Sequence, residues 1–155
     1  KSRDDRSPKK KWKKIYNRPN IIIFEGWCVG ARPQKDKELI KPINILEKKE
    51  DLKLYWRKKV NKELKNEYKK IFDKIDRLIF LKVPNFVCVY KWRLLAEKKL
   101  YLTTGGKKIM SAIQVKKFIM YYERITMQML KDLTNKAYAV LYLDSKHKLN
   151  KIKYN

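Results

Sequence analysis

The chain has 155 residues, 44% of them hydrophobic and 12% aromatic, which is enough to bury the core of one domain. No run approaches the ~18 apolar residues that span a bilayer, and the first apolar stretch is too short for a signal peptide, so we expect a soluble, cytoplasmic protein. Two cysteines and one histidine cannot make a metal site and leave little material for Ser-His or Cys-His catalysis.

The formal net charge of +25 raises the question of nucleic-acid binding. The chain has 33 lysines and 8 arginines, with 15 isoleucines and 9 asparagines, an excess that an AT-rich coding sequence produces. Arginine, which recognises phosphates and bases with two hydrogen bonds, is scarce. Residues 1–20 are the exception, because nine basic residues there face two acidic ones. A nucleic-acid-binding module that uses this basic arm is therefore an alternative function.

The N-terminal third is predicted to hold one strand between two loops. Residues 1–20 are polar and contain Pro8 and Pro19, which predicts a basic loop. The run Ile21–Phe24 is apolar and rich in β-branched residues, as in a strand buried on both faces. Residues 28–50 show no steady period, which predicts a long functional loop with a short helix at most.

The middle of the chain is predicted to be helix, strand and helix. From Asp51 to Phe72, apolar residues recur every four positions, which predicts one amphipathic helix. These residues are Leu52, Trp56, Val60, Leu64, Tyr68 and Phe72. Leu78–Val83 is predicted to be a second buried strand, and residues 85–101 a further helix that the following Thr-Thr-Gly-Gly stretch ends.

The last third is predicted to be a helix, a strand and a tail. Ser111 and Gln114 have the spacing of a capping box, so a helix begins there. Its apolar face contains Val115, Phe118, Ile119, Tyr122, Ile125, Met129 and Leu133. Ala137–Leu143 is predicted to be a third strand, and residues 145–155 a polar tail. The element order predicts an α/β fold with a parallel sheet and flanking helices.

A first group of candidate site residues follows the strand predicted at Ile21–Phe24. Ligands of open α/β sheets bind at the carboxyl ends of the strands, and Glu25 would lie at such an end. A carboxylate there can hold Mg²⁺ beside the phosphates of a nucleotide, and Gly26 lets the backbone turn sharply. The alternative is a strand that ends in a solvated Glu-Gly turn.

Arginines form the second group of candidates, because lysine is the default cation of this chain. Guanidinium groups stabilise the charge that develops on a phosphoryl group in transfer, and Arg93 and Arg124 are the two candidates for that role. For either residue, a structural ion pair is an equally good interpretation. The phosphate-loop pattern G-x-x-x-x-G-K-[ST] does not occur in this sequence.

Five segments together resemble successive motifs of the D-glycerate 3-kinase-like P-loop kinases, relatives of uridine kinase, phosphoribulokinase and pantothenate kinase. The segments are K-S-R-D-D-R (1–6), F-E-G-W-C-V-G (24–30), P-I-N-x-L-E (42–47), Y-K-W-R-L-L-A-E (90–97) and Q-V-K-K-F-I-M-Y-Y-E-R-I-T (114–126). The resemblance spans nearly all of residues 1–144 in the same order. It implies an ATP-dependent phosphotransferase that acts on a small, anionic hydroxylated acid, with D-glycerate as the acceptor.

The resemblance also implies a role for each matching position. Glu25 would act on Mg²⁺, Arg93 would lie in a helix that closes over the phosphates with Glu97 supporting it, and Arg124 would face the substrate or the transferred group. The implied substrate-binding residues are Lys1, Ser2, Asp5, Arg6, Gly26 and Trp27. ATP and Mg²⁺ are the implied cofactors.

Compared with the family pattern, the sequence lacks the N-terminal strands and the phosphate loop. We therefore expect residues 1–155 to form a single partial domain, the C-terminal part of a kinase domain. The missing first strand would lie between the strands predicted at Ile21–Phe24 and Leu78–Val83, so this part alone is expected to be unstable or aggregation-prone. A non-catalytic, kinase-like subunit is the further alternative.

Overall fold

The structure, a computed structural model, describes residues 7–105 and 109–155. In these ranges, helices flank a three-stranded sheet, which confirms the predicted α/β class. The elements are α1 (Asp36–Ile40), α2 (Ile45–Glu50), α3 (Tyr55–Lys65), α4 (Glu67–Phe72), β1 (Ile79–Lys82), α5 (Phe86–Thr104), α6 (Ala112–Asp132), β2 (Ala139–Leu143) and β3 (Leu149–Tyr154). Single 3₁₀ turns form at Lys9–Lys11 and Leu133–Asn135. None of the helices in the described ranges is both long and apolar enough to cross a membrane.

The sheet has the order β1-β2-β3 and mixes both strand directions. β1 and β2 pair in parallel, with Ile79 opposite Ala139, as the element order predicts. β3 pairs antiparallel to β2, with Tyr154 opposite Ala139, so the prediction of a polar tail at 145–155 is wrong. Lysines alternate with apolar residues in β3, a composition that suits an edge strand exposed to water. The same composition is also typical of a polar tail, so the sequence alone did not predict this strand.

The prediction of a buried strand at Ile21–Phe24 is also wrong for the described structure. The segment lies outside the sheet, and its four side chains are 56–87% exposed. A strand is stable only when a neighbouring strand satisfies its backbone N–H and C=O groups. Among the described residues, no strand pairs with this segment.

Residues 51–72 form two helices, α3 and α4, where one was predicted. The backbone departs from helical geometry at Asn66, with φ −114° and ψ −85°. The predicted apolar face of α3 is also wrong in its first half, because Trp56 is 63% exposed, while the buried residues are Arg57, Asn61 and Leu64. The polar side chains Arg57 and Asn61 turn inward because the preceding segment, which forms α1 and α2 instead of a long loop, offers them polar partners.

Two hydrophobic clusters hold these elements together. The larger cluster lies where α3 and α6 meet the sheet, and its buried residues are Ala31, Leu64, Met129, Leu133, Ala137 and Val140. The smaller one joins α5 to α6 through Val89, Val115 and Ile119. The apolar face predicted for α6 supplies Met129 to the first cluster and Val115 and Ile119 to the second, so this helix connects the two.

The starts of the two long helices agree with the sequence. The side chain of Asn85 accepts a hydrogen bond from the backbone N–H of Cys88 and caps α5. Ser111 and Gln114 form the predicted capping box of α6. Gly105 follows the last residue of α5 with φ +65°, a left-handed conformation that glycine adopts without strain.

Gly30 is a position where we expect any side chain to destabilise the protein. Its φ is +79°, and a Cβ atom there would lie 2.7 Å from Cδ2 of Leu78 in the larger cluster. We expect Gly30→Ala to lower the free energy of unfolding by about 1–3 kcal/mol, because it combines left-handed strain with a displaced leucine. Denaturant unfolding of both proteins measures the difference. A variant as stable as the wild type would show that this turn relaxes freely.

Candidate functional site

Four of the predicted substrate-binding residues, Lys1, Ser2, Asp5 and Arg6, lie outside the described residues. The other predicted site residues are all described, so their places in the fold can be compared. They fall into two groups on different faces of α6, one near Trp27 and Arg93 and the other around Arg124.

The turn at Glu25–Trp27 is attached to α6 through its tryptophan. The Trp27 ring stacks on Tyr122, with centroids 4.9 Å apart and the planes 13° from parallel. Its Nε1–H donates a hydrogen bond to Oγ1 of Thr126 at 3.1 Å. No strand among the described residues pairs with the segment before this turn, so these contacts fix the turn to the body of the protein.

Glu25 is exposed at the beginning of this turn. In the described part of the chain, no ion pair involves its carboxylate, and no three His, Cys, Asp or Glu side chains are grouped as metal ligands. Mg²⁺ in nucleotide sites commonly uses one or two carboxylates, with water and phosphate oxygens completing its shell. The Glu25 carboxylate, which has no ion-pair partner among the described residues, can supply one such ligand, and magnesium binding there stays a prediction.

Arg93 projects from α5 toward α6. Its Nη2 donates to Oε1 of Glu97, whose other oxygen accepts a hydrogen bond from the backbone N–H of Met110 at 3.1 Å. The guanidinium carbon lies 5.0 Å from the centre of the Phe118 ring. Among the described residues, no acceptor bonds its buried Nε–H. The ion pair with Glu97 and the contact with Phe118 hold the guanidinium in place, and the side chain is still 33% exposed, so a ligand can reach part of it.

A row of aromatic rings on α6 connects Arg93 to the Glu25 turn. Phe118, beneath Arg93, lies 5.2 Å from Tyr122, and Tyr122 stacks on Trp27. The sequence places Phe118 and Tyr122 on the apolar face of α6, which is correct. The structure shows in addition that this face of α6 contacts both candidate groups, the Glu25 turn through Trp27 and the guanidinium of Arg93.

The same part of α5 lies beside the carboxyl end of β2. Trp92, the residue before Arg93, donates a hydrogen bond from Nε1 to the backbone oxygen of Ser145 at 3.0 Å. Ser145 follows the last residue of β2, Leu143, by two positions. Because ligands of α/β sheets bind at the carboxyl ends of parallel strands, the part of α5 that carries Trp92 and Arg93 lies near the edge where a ligand is expected.

Arg124 lies on another face of α6, and protein atoms already satisfy its guanidinium. Nε and Nη2 each bond one carboxylate oxygen of Glu47 at 2.7 Å. Nη1 donates to the backbone oxygen of Glu38 and to Oε1 of Gln34, and Nη2 to the backbone oxygen of Lys41. Arg124 therefore organises the segment before α3, and contact with substrate or phosphate stays a prediction.

Arg57 completes a buried charge cluster around this pair. Its Nε lies 2.8 Å from Oδ2 of Asp51, and its Nη1 donates to the backbone oxygen of Leu39 and lies 3.7 Å from Oε2 of Glu47. Two guanidinium groups and two carboxylates thus share one buried site, with Glu47 between Arg57 and Arg124. No pattern in the sequence indicates this cluster. Glu47 and Arg124, which form one of its ion pairs, nevertheless lie in two of the five motif segments.

Polar residues of the P-I-N-x-L-E segment (42–47) form hydrogen bonds beside the buried charge cluster. The Asn44 side chain accepts a hydrogen bond from the backbone N–H of Glu47 and caps α2. Its amide group donates to the backbone oxygen of Met120 and to the carboxylate of Glu123, both in α6. Asn44 therefore joins α2 to α6 beside the buried ion pair.

The carboxyl of Asp51 makes the stability of the buried charge cluster depend on pH in the acid range. Burial alone raises the pKa of its carboxyl, but hydrogen bonds from the Arg57 side chain and from the backbone N–H groups of Trp56 and Arg57 outweigh burial and hold the pKa below 3.8. A lowered pKa stabilises the folded state above pH 3.8, and this stabilisation is lost as the pH falls toward the pKa of the folded state.

We therefore expect wild-type stability to decrease as the pH drops below about 4, and Asp51→Asn to flatten that decrease while lowering stability at neutral pH. Denaturant unfolding between about pH 3 and pH 7 measures both effects. Asp76→Asn, at an exposed aspartate, is the matched control. Parallel pH profiles for wild type and Asp51→Asn would contradict this assignment.

Comparisons with known proteins agree on one family. No family model matches the chain. The uncharacterized kinase mug58 of Schizosaccharomyces pombe is 32% identical over 136 residues, 86% of this chain and 47% of the relative. The chloroplastic D-glycerate 3-kinase of Arabidopsis thaliana is 30% identical over 120 residues, 77% of this chain and 24% of the relative. The chain thus spans half or less of the length of these relatives.

A solved structure shows the same fold. The D-glycerate 3-kinase from Cryptococcus neoformans superimposes with a TM-score of 0.70, at 20% sequence identity, over 91% of this chain and 52% of that protein. The predicted fold class is therefore confirmed, and the match spans about half of that longer protein. The two sequence relatives are both named as kinases, and this structure shows the fold that they accompany.

Proposed function

We propose that this chain, which belongs to the D-glycerate 3-kinase-like family of kinases, is part of an enzyme that transfers the γ-phosphoryl group of ATP to a small hydroxylated acid, with D-glycerate as the acceptor. The observation that carries this proposal is sequence similarity to a D-glycerate 3-kinase over 77% of the chain. In the reaction, an acceptor hydroxyl oxygen bonds the γ-phosphorus, the bond to the β-phosphate oxygen breaks, and the hydroxyl proton is released.

Arg93 is the proposed catalytic arginine. Negative charge is shared among the oxygens of the phosphoryl group during transfer, and a guanidinium fixed beforehand stabilises that charge without reorganisation. The ion pair with Glu97 and the ring of Phe118 supply that fixation. The side chain is 33% exposed, so a phosphate oxygen can approach the accessible part of the guanidinium.

Glu25 is the proposed residue for Mg²⁺, directly or through a water molecule, and its exposure without an ion pair in the described part supports this. Bound Mg²⁺ neutralises charge on the phosphates. Gly26 and Trp27 are proposed to shape the substrate side of the same turn, and Arg124 to hold the segment before α3 in place. Lys1, Ser2, Asp5 and Arg6 remain proposed contacts of the acceptor.

Two alternatives predict different results. A nucleic-acid-binding module that uses residues 1–20 predicts binding with a steep dependence on salt concentration. A non-catalytic, kinase-like subunit predicts no phosphoryl transfer at all. The relatives, which are named as kinases, favour the enzyme over both.

The test is an acceptor screen with the full-length protein. ATP and Mg²⁺ are supplied with D-glycerate, L-glycerate, other small hydroxy acids or a nucleoside, and phosphorylated products are identified by mass spectrometry. We expect a phosphorylated product with D-glycerate and much less with its mirror image. Transfer to the nucleoside instead would contradict the proposed acceptor, and no transfer to any compound would favour the non-catalytic subunit.

A further inference from the structure

The turn between β2 and β3 contacts the middle of α5. The rings of Trp92 and His147 lie with their centroids 4.0 Å apart and their planes 30° from parallel. The Trp92 Nε1–H also donates to the backbone oxygen of Ser145, as described above. A ring contact and a hydrogen bond therefore join one residue of α5 to one turn of the sheet.

Asp144 organises this turn independently of α5. Its Oδ1 accepts hydrogen bonds from the backbone N–H groups of Lys146 at 2.8 Å and Lys148 at 2.9 Å. Its backbone N–H donates to the oxygen of Lys148, and the N–H of His147 donates to the oxygen of Asp144. His147 takes φ +65°, in the left-handed region. The turn thus presents the imidazole to α5 in a defined conformation.

Trp92 and Arg93 are consecutive, so they point about 100° apart around the axis of α5. Trp92 meets the β2–β3 turn, whereas Arg93 meets Phe118 of α6. At Trp92 and Arg93, α5 is therefore held from two sides. A rotation of α5 about its axis would disturb both contacts together. The place of the Arg93 guanidinium therefore depends on the Trp92 contact.

We propose that Trp92 and His147 are positioning residues that fix the rotation of α5 and thereby place the Arg93 guanidinium at the carboxyl edge of the sheet. This inference rests on the proposed function, because it concerns the arginine that acts on the phosphoryl group. The contact lies at the surface, where Ser145 and His147 are exposed. Its loss therefore affects the geometry of the site much more than global stability.

The test compares Trp92→Ala, His147→Ala and the double variant in the full-length protein with ATP, Mg²⁺ and D-glycerate. We expect each single variant to lower kcat by about 10- to 100-fold, since small misplacements of catalytic groups have effects of this size, while the KM for ATP and the Tm stay near wild type. The double variant should be no worse than the singles, because both residues act through one contact. Trp92→Phe, which keeps an aromatic ring, should recover most of the activity.

Tyr101→Ala is the matched control, as an aromatic residue of the same helix that is 58% exposed, and it should leave kcat unchanged. Proton NMR supplies a readout that needs no activity. The imidazole signals that disappear in His147→Ala should shift in Trp92→Ala, because the indole ring current is lost.

The outcomes separate the two proposals. An active wild type whose kcat survives Trp92→Ala would overturn the positioning role alone, as would His147 signals that do not respond to Trp92→Ala. Equal losses in Trp92→Ala and Tyr101→Ala would overturn it too. A wild type without phosphoryl transfer to any acceptor would overturn the proposed function and, with it, this inference.

Discussion

Replacing Glu47 by glutamine is expected to lower the free energy of unfolding by about 3–5 kcal/mol, the range seen when one partner of a buried ion pair is removed. The carboxylate accepts two hydrogen bonds from Arg124 at 2.7 Å and lies 3.7 Å from Arg57. Both guanidinium groups are buried, so the neutral amide leaves an excess of positive charge away from water. Denaturant unfolding of wild type and variant measures the difference.

The matched control is Glu50→Gln, the same substitution in the same helix. Glu50 pairs with Lys117, but both side chains are more than half exposed, and such pairs contribute about 0–1 kcal/mol. Replacing Glu47 by leucine together with Arg124 by methionine should restore part of the loss, because no charge of that pair is then left unpaired. Equal effects of Glu47→Gln and Glu50→Gln would show that the buried cluster does not stabilise the fold.

Replacing Arg93 by lysine is expected to lower kcat by about 10²- to 10³-fold, the usual cost of removing one preorganised donor from a transition state. Lysine keeps the positive charge but loses the planar group that bonds Glu97 and lies against the ring of Phe118. Steady-state kinetics of the full-length protein with ATP and D-glycerate measure the effect. Circular dichroism shows whether the fold is unchanged.

Arg77→Lys is the control for this substitution. Arg77 is exposed and lies 4.4 Å from the ring centre of Tyr138. Its replacement should leave kcat within about twofold of wild type, as expected for a surface residue outside the reacting groups. A normal kcat in Arg93→Lys would exclude Arg93 from the catalytic machinery and limit it to the ion pair with Glu97.

Local signals in the sequence predicted much of the fold. The capping box of Ser111 and Gln114, the start of α5 and the apolar period of α6 each depend on neighbours within a few positions, and the structure has them as expected. The parallel pair of β1 and β2 followed from two apolar runs separated by helices. Such features are readable because the interactions that cause them are close in sequence.

Features that depend on residues far apart in the sequence could not be predicted from it. Arg57 and Asn61 face inward only because backbone oxygens and carboxylates of residues 34–51 receive their hydrogen bonds. β3 carries lysines that suit a solvated edge, and its pairing depends on the turn that Asp144 organises. Conversely, the apolar character of Ile21–Phe24 predicted a strand, but pairing depends on a neighbour that the described residues do not supply.

The candidate site shows the same division. The sequence singled out Arg93 and Arg124 equally, and composition alone could not separate them. The structure separates them by their partners, because Arg124 donates five hydrogen bonds within the protein, whereas Arg93 keeps one buried N–H without a partner among the described residues. The distinction lies in long-range geometry, which a pattern along one chain does not contain.

The most direct measurement is a crystal structure of the full-length protein with Mg²⁺ and a non-hydrolysable ATP analogue. We predict that the Arg93 guanidinium lies within hydrogen-bonding distance of a phosphate oxygen, about 2.7–3.2 Å, and that Glu25 contacts Mg²⁺ or one of its water ligands. Arg124 should remain bonded to Glu47. A nucleotide bound with Arg93 and Glu25 both turned away from its phosphates would contradict the account.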